Sequence, residues 1–130
     1  MKSSYNLENK IIKIPKNLIM AKLDIEFLRQ VTVGDIEFEK ELFLIFLESS
    51  KNNLDRMEKS ITDKNDTLWH LAAHSFKGAS ASIGAFDLSK TLEAAQYHPK
   101  GFFEEKTLLL EKIRTEFDLV VDFIDKQTAN

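Results

Sequence analysis

Cysteine and histidine, the side chains most nucleophilic at neutral pH, are scarce in this chain of 130 residues, and two of the histidines stand four residues apart. There is no cysteine, and there are three histidines, His70, His74 and His98. Placing residues 67–83 on a helix at about 100° per residue sets Leu68, Ala72, Phe76, Ala79 and Ile83 within roughly 60° of the side opposite His74. Thr67, His70, Lys77, Gly78 and Ala81 fall on the side of His74 itself. His74 therefore points away from the core, on a face of small residues with one lysine. An imidazole with an unperturbed pKa near 6.5 is largely uncharged at neutral pH and is a competent nucleophile for a transferable group. Lys77, three residues on, can bring its ammonium to an anionic group carried on that ring. Gly78, four residues on, costs about 1 kcal/mol relative to alanine inside a helix and so wants a reason. Either it relieves a crowded crossing within the chain or it admits another molecule; its place beside His74, off the apolar stripe, favours the second. His98, next to Pro99 in a turn, reads as an ordinary histidine, either partly buried and hydrogen-bonded or solvated.

These side chains need a scaffold, and the rest of the sequence predicts an all-α one. Residues 1–20 mix Asn, Lys and Ile without periodicity and read as an arm or linker remnant, with one helical domain over residues 21–130. Asp24 can cap a short helix carrying Phe27, Leu28 and Val31 that stops near Gly34. Asp35 can cap a long one in which Phe38, Leu42, Phe43, Ile45, Phe46, Leu54, Met57 and Ile61 recur at three and four. The apolar band is too wide in its first half for a single core-facing stripe, so some of these residues should lie on a second face. Asp63 or Asn65 can cap the helix of His74, which runs toward Gly84. A fourth helix spans Phe86 to about Tyr97, ended by Pro99, and the last carries Phe103, Leu110, Ile113, Phe117, Val120, Val121 and Ile124. Short connections between amphipathic helices predict an antiparallel up-and-down four-helix bundle with an additional short helix at its N-terminal side.

Composition narrows the function classes. Lys plus Arg number 18 against 21 Asp plus Glu, a formal charge of −3, which supplies no overall drive toward nucleic acid or an anionic membrane. No apolar run approaches the roughly 20 residues that span a bilayer, and the N-terminus lacks the apolar region of a secretory signal, so a cytoplasmic location is expected. No Gly-x-x-x-x-Gly-Lys-Ser/Thr loop is present, so no ATP site is readable. Met1 and the polar tail Gln127-Thr128-Ala129-Asn130 favour a freestanding module.

The run His74-Ser75-Phe76-Lys77-Gly78-Ala79-Ser80-Ala81-Ser82-Ile83-Gly84-Ala85, with Leu92-Glu93 and Gln96 in the next helix, resembles the signature of the histidine-containing phosphotransfer (HPt) domains. The resemblance covers roughly residues 22–126. Phe76 stands where leucine is frequent, and Ser80 and Ser82 where alanine is common. The resemblance implies that His74 accepts a phosphoryl group from the aspartyl phosphate of a receiver domain and passes it to another receiver's aspartate. It implies that Lys77 neutralises the phosphoryl oxygens, that Gly78 lets the receiver come close, and that Gln96 holds the imidazole by a hydrogen bond. The partners implied are receiver domains and a hybrid sensor histidine kinase, met by a monomer. The module would be a phosphocarrier and not an enzyme with its own ATP site. It would carry no cofactor, the Mg²⁺ ion belonging to the receiver. In such domains receivers rest on an apolar patch beside the histidine, which selects Phe38 and Leu42 from the wide band, with Leu28 and Ala81 as lesser members. Both Phe38 and Leu42 could instead be core.

Two other readings compete. His70 and His74, four apart, could share a zinc ion, but Leu71 stands where a metalloprotease helix needs glutamate, and a third ligand would have to come from another helix; no metal is expected. Alternatively the bundle is a non-catalytic adaptor that binds a receiver or other partner through the same face.

Overall fold

The computed structural model describes residues 23–128. Over these it contains five helices and no strand: α1 (Ile25–Thr32), α2 (Ile36–Thr62), α3 (Asp66–Ser82), α4 (Phe86–Gln96) and α5 (Phe103–Thr128). The expected arm, 1–20, lies outside the described residues. Three of the helices begin where a short polar side chain can accept from the first turn's orphan amides. Asp24 accepts from the Phe27 amide at 3.0 Å, Asp35 from Phe38 at 3.1 Å and Asn65 from Leu68 at 3.0 Å. Asn65, and not Asp63, is thus the cap of α3. Asp63 closes the end of α2, where its carboxylate pairs with Lys59 at 2.9 Å.

Helices α2 to α5 form the antiparallel bundle. The Trp69 indole Nε1 donates to the Ala95 carbonyl and the Ser89 hydroxyl to the Lys77 carbonyl, which runs α3 and α4 in opposite directions. Asp66 meets Lys106 and Phe76 meets Phe117, which sets α3 and α5 parallel across the diagonal. The core is built on Phe43, Phe46, Trp69, Phe76, Ile113 and Phe117; the Phe117 ring centroid sits 5.9 Å from Phe46 and 6.0 Å from Phe76. Burial on α3 follows the side opposite His74, at Trp69, Ala72 and Phe76, and because neighbours pack it on two sides it reaches Ser80 at the edge of that stripe and Ala73 beyond it.

The two ends of the bundle are closed differently. Helices α2 and α5 have 27 and 26 residues, against 17 and 11 in α3 and α4, so they overhang the α3–α4 turn. Helix α1 covers the overhang. Arg29 reaches Glu39 on α2 and Gln127 on α5, and the Phe27 ring stands edge-on to Phe86 at 5.1 Å. The Asp24 amide donates to the Gly84 carbonyl at 2.9 Å. Leu28 and Thr32 are fully buried there. This corrects the placement of Leu28 in an exposed apolar patch: an 8-residue helix laid across a bundle end has one inner side, and Leu28 is on it, leaving Val31 outside at 45% exposure.

At the opposite end the lock is polar. Lys106, 1% exposed, donates from Nζ to the Asp66 carboxylate at 3.2 Å, to the Pro99 carbonyl at 2.7 Å and to the Gly101 carbonyl, so all three of its protons are used. Its ammonium also lies 5.0 Å from the centre of the Phe103 ring and 5.8 Å from that of Trp69. Asp66 accepts the Gly101 amide at 3.0 Å, and that bond, aided by Lys106, holds its pKa below the ordinary 3.8 against the opposing effect of desolvation. Among the described residues no helix is long and apolar enough to cross a membrane.

A lowered carboxylate pKa contributes stability that is complete above the unfolded-state value and is lost as pH falls through the folded-state value. Asp66→Asn is therefore expected to flatten the fall of unfolding free energy below about pH 4, measured by urea titration across pH 2–6. Lys106→Met, which orphans the Pro99 and Gly101 carbonyls and leaves the Asp66 carboxylate without its cation, should lower stability at neutral pH by about 2 kcal/mol in the same assay.

Candidate functional site

The exposed side of α3 carries His74, with Ala72, Ala73 and Phe76 buried beneath it. The ring is held from α4: Gln96 Nε2 lies 3.1 Å from His74 Nδ1. Gln96 is only 6% exposed, so its carboxamide is fixed in the body of the protein while the ring it touches faces solvent. Its Oε1 is buried without a hydrogen-bond partner. A half-turn of the carboxamide exchanges nitrogen and oxygen without other movement. With the oxygen on Nδ1, the imidazole carries its proton there and presents the Nε2 lone pair to solvent.

The surroundings of His74 follow from the helix period. One turn earlier, His70 is exposed, and its Nδ1 lies 3.1 Å from the Gln96 main-chain carbonyl. Lys77 is half-buried, its ammonium 5.8 Å from the centre of the exposed Tyr97 ring, and His70 meets the same ring edge-on at 6.2 Å. Beyond His70 a groove of about 440 Å³ opens between α3 and the α4–α5 connection, bounded by His70, Leu71, Tyr97, His98 and Lys100. His98 is paired with Glu105 at 2.9 Å. One turn after His74, Gly78 is exposed, and a Cβ built on it meets nothing within 4 Å. No crossing among the described residues requires that glycine. Ala81 continues the surface, half-buried.

Helix α2 brings an apolar edge to this face. Asn53 Nδ2 donates to the hydroxyl of Ser75, the residue after His74, at 3.4 Å. Counting back from Asn53 by threes and fours gives Ser49, Ile45, Leu42 and Phe38 on one side of α2. Phe38 is 41% exposed and Ile45 61%, whereas Leu42 is half-buried and packs on the core. Of the four patch residues expected from the sequence, Phe38 is exposed, Leu42 and Ala81 are partly so, and Leu28 is absent from the surface. Ile45 belongs to the stripe and was the missed member; its spacing of three from Leu42 was the available signal. Tyr97 was likewise missed, because its place beside Lys77 depends on how α4 ends and not on any local period. Among the described residues, no group of three or more His, Asp or Glu side chains comes together to hold a metal ion.

Comparison with known families adds one finding: the family model described as the Hpt domain matches residues 41–119, more than half of the chain. The chain belongs to the Hpt domain family. No curated protein and no solved structure matches it. The Hpt match takes in Leu42, Ile45, His74, Lys77, Gly78, Ala81 and Gln96, and it leaves out Phe38 and the whole of α1. The all-helical bundle is the architecture of that family.

Two glycines near the end of α3 should respond oppositely to the same substitution. Gly84 has φ +87°, and a Cβ there would stand 2.8 Å from the Asp24 carbonyl oxygen, so Gly84→Ala should cost about 2 kcal/mol in strain and displacement of α1. Gly78→Ala, in open helix, should raise stability by about 1 kcal/mol. Urea unfolding of the two variants checks both signs.

Proposed function

We propose that this protein is a phosphorelay intermediate in which His74 takes a phosphoryl group from the aspartyl phosphate of one receiver domain and gives it to the aspartate of another. The observation that carries the reading is the contact of the buried Gln96 carboxamide with Nδ1 of an otherwise exposed imidazole, on a face kept bare by Gly78. Membership in the Hpt family supports the same chemistry. The Nε2 lone pair attacks phosphorus, the bond from phosphorus to the aspartyl oxygen breaks, and the receiver's carboxylate departs. The Nδ1 proton remains on the ring and is accepted by the Gln96 oxygen once the carboxamide has turned over to bring it there. The reverse step onto a second aspartate regenerates the neutral imidazole.

In-line transfer of this kind is mostly positioning and charge neutralisation. The module supplies the nucleophile, its orientation and one cation. Lys77 is one helical turn from His74, and its present contact with the exposed Tyr97 ring is a weak one that phosphoryl oxygens would outcompete. The metal ion and acidic pocket would come from the receiver. A hybrid sensor kinase is the expected source of the phosphoryl group, since the sequence holds no readable ATP loop of its own. Receivers would dock on the stripe Phe38, Leu42 and Ile45, continued over α3 by Gly78 and Ala81.

Incubation with a phosphorylated receiver should place acid-labile label on the wild-type chain and none on His74→Gln, whose unfolding free energy should change by no more than about 0.5 kcal/mol. Label retained by that variant would move the acceptor elsewhere and sink the proposal. Lys77→Ala should slow transfer far more than it weakens receiver binding, because the ammonium acts on charge at the phosphoryl group.

Docking is tested separately by Ile45→Glu and Phe38→Glu. Each should leave the protein folded and able to accept phosphate from a small phosphodonor, yet raise the receiver dissociation constant about tenfold, or about 1.4 kcal/mol. Unchanged affinity in both would remove α2 from the interface. Leu28→Glu should instead unfold the α1 end, visible as lost helical circular dichroism.

A further inference from the structure

The phosphoacceptor reading leaves one question about geometry: what holds Gln96 itself. Gln96 is the last residue of α4, an 11-residue helix. Helices of that length are marginal in water, and their final carbonyls have no partner within the helix. Two consecutive side chains of α3 satisfy the last two. Trp69 Nε1 donates to the Ala95 carbonyl at 2.7 Å, and His70 Nδ1 lies 3.1 Å from the Gln96 carbonyl. A main-chain carbonyl only accepts, so this second contact fixes the proton of His70 on Nδ1. Unlike a side-chain amide, that carbonyl cannot turn over to offer a donor.

We infer that His70 is a positioning residue for the phosphoacceptor: by holding the main chain of Gln96, it sets the carboxamide against Nδ1 of His74. The inference rests on the proposed role of His74. Gln96 is gripped twice from one side of α3, by its carbonyl through His70 and by its side chain at His74, one turn apart. Fixing the main chain restricts the glutamine rotamers that can reach the ring, and only a fixed amide can select one imidazole tautomer. Trp69 is buried and secures the helix end as a whole. His70 is exposed, and its contribution to the core is correspondingly small.

The test combines His70→Phe, which keeps a ring and loses the donor, with His70→Asn, whose side-chain nitrogen falls where Nδ1 was. Imidazole ¹⁵N spectra of the unphosphorylated protein should place the His74 proton on Nδ1 in the wild type. In His70→Phe the balance should shift toward the Nε2–H form, and in His70→Asn it should largely recover. Transfer from a phosphorylated receiver should fall about tenfold in His70→Phe with receiver affinity unchanged within about twofold, and should recover in His70→Asn. In a Gln96→Ala background, His70→Phe should have no further effect. His70→Ala replaces His70→Phe if the larger ring packs badly against Tyr97. An unchanged His74 tautomer on loss of the donor, or an undiminished effect in the Gln96→Ala background, would overturn the inference. The spectra need no receiver, so a failure of the relay reading would show as absent label in the wild type while the spectra still decide the role of His70.

Discussion

Packing two helices of 27 and 26 residues with two of 17 and 11 cannot give a flush bundle. At 1.5 Å per residue the longer pair extend about 15 Å beyond α3 and further beyond α4. Apolar surface is left open at one end and a long connection has to be tied down at the other. The overhang is closed by α1, with Leu23, Leu28 and Thr32 turned inward and the chain pressed against Gly84 so closely that no other side chain fits. The connection is tied by the Lys106 ammonium and the Asp66 carboxylate. Helix α3 is touched by both devices, one at each end. Its middle, where His74 stands, is held from both ends, and the side that carries His74 is exposed.

That division explains why the outer side can be so sparse. Phe76, Ala72 and Ala73 fill the inside of α3, and small residues suffice near His74 because α2 and α4 approach from the flanks. Among the described residues nothing occupies the space that a Cβ at Gly78 would fill, so its conformational cost there is not offset by internal packing.

Much of this was legible in the sequence, and what was not has a common cause. The caps Asp24, Asp35 and Asn65, the helical periods and the outward direction of His74 are local properties, set within a turn or two. Gln96 was reachable because its family position is stereotyped. Leu28, Lys106 and Gly84 were different. Nothing near Leu28 says that α1 lies across a bundle end, nothing near Lys106 marks a lysine that will be buried, and Gly84 reads as a simple helix stop until Asp24 arrives from the other end of the domain. Ile45 shows the limit of an apolar period: the same spacing describes a residue inside the core and one on an exposed face, and only the position of α3 distinguishes them.

Trp69 sits where these arrangements meet. It is the only tryptophan of the sequence, 1% exposed, hydrogen-bonded to the Ala95 carbonyl, with the Lys106 ammonium 5.8 Å from its ring centre. Indole emission shifts with the polarity and charge around the ring and is quenched by water or by a neighbouring proton donor. The protein thus contains its own fluorophore at the junction of α3, α4 and α5, one residue from the histidine that grips Gln96. Any loosening of that junction is written into the colour and intensity of a single optical signal, with no label added.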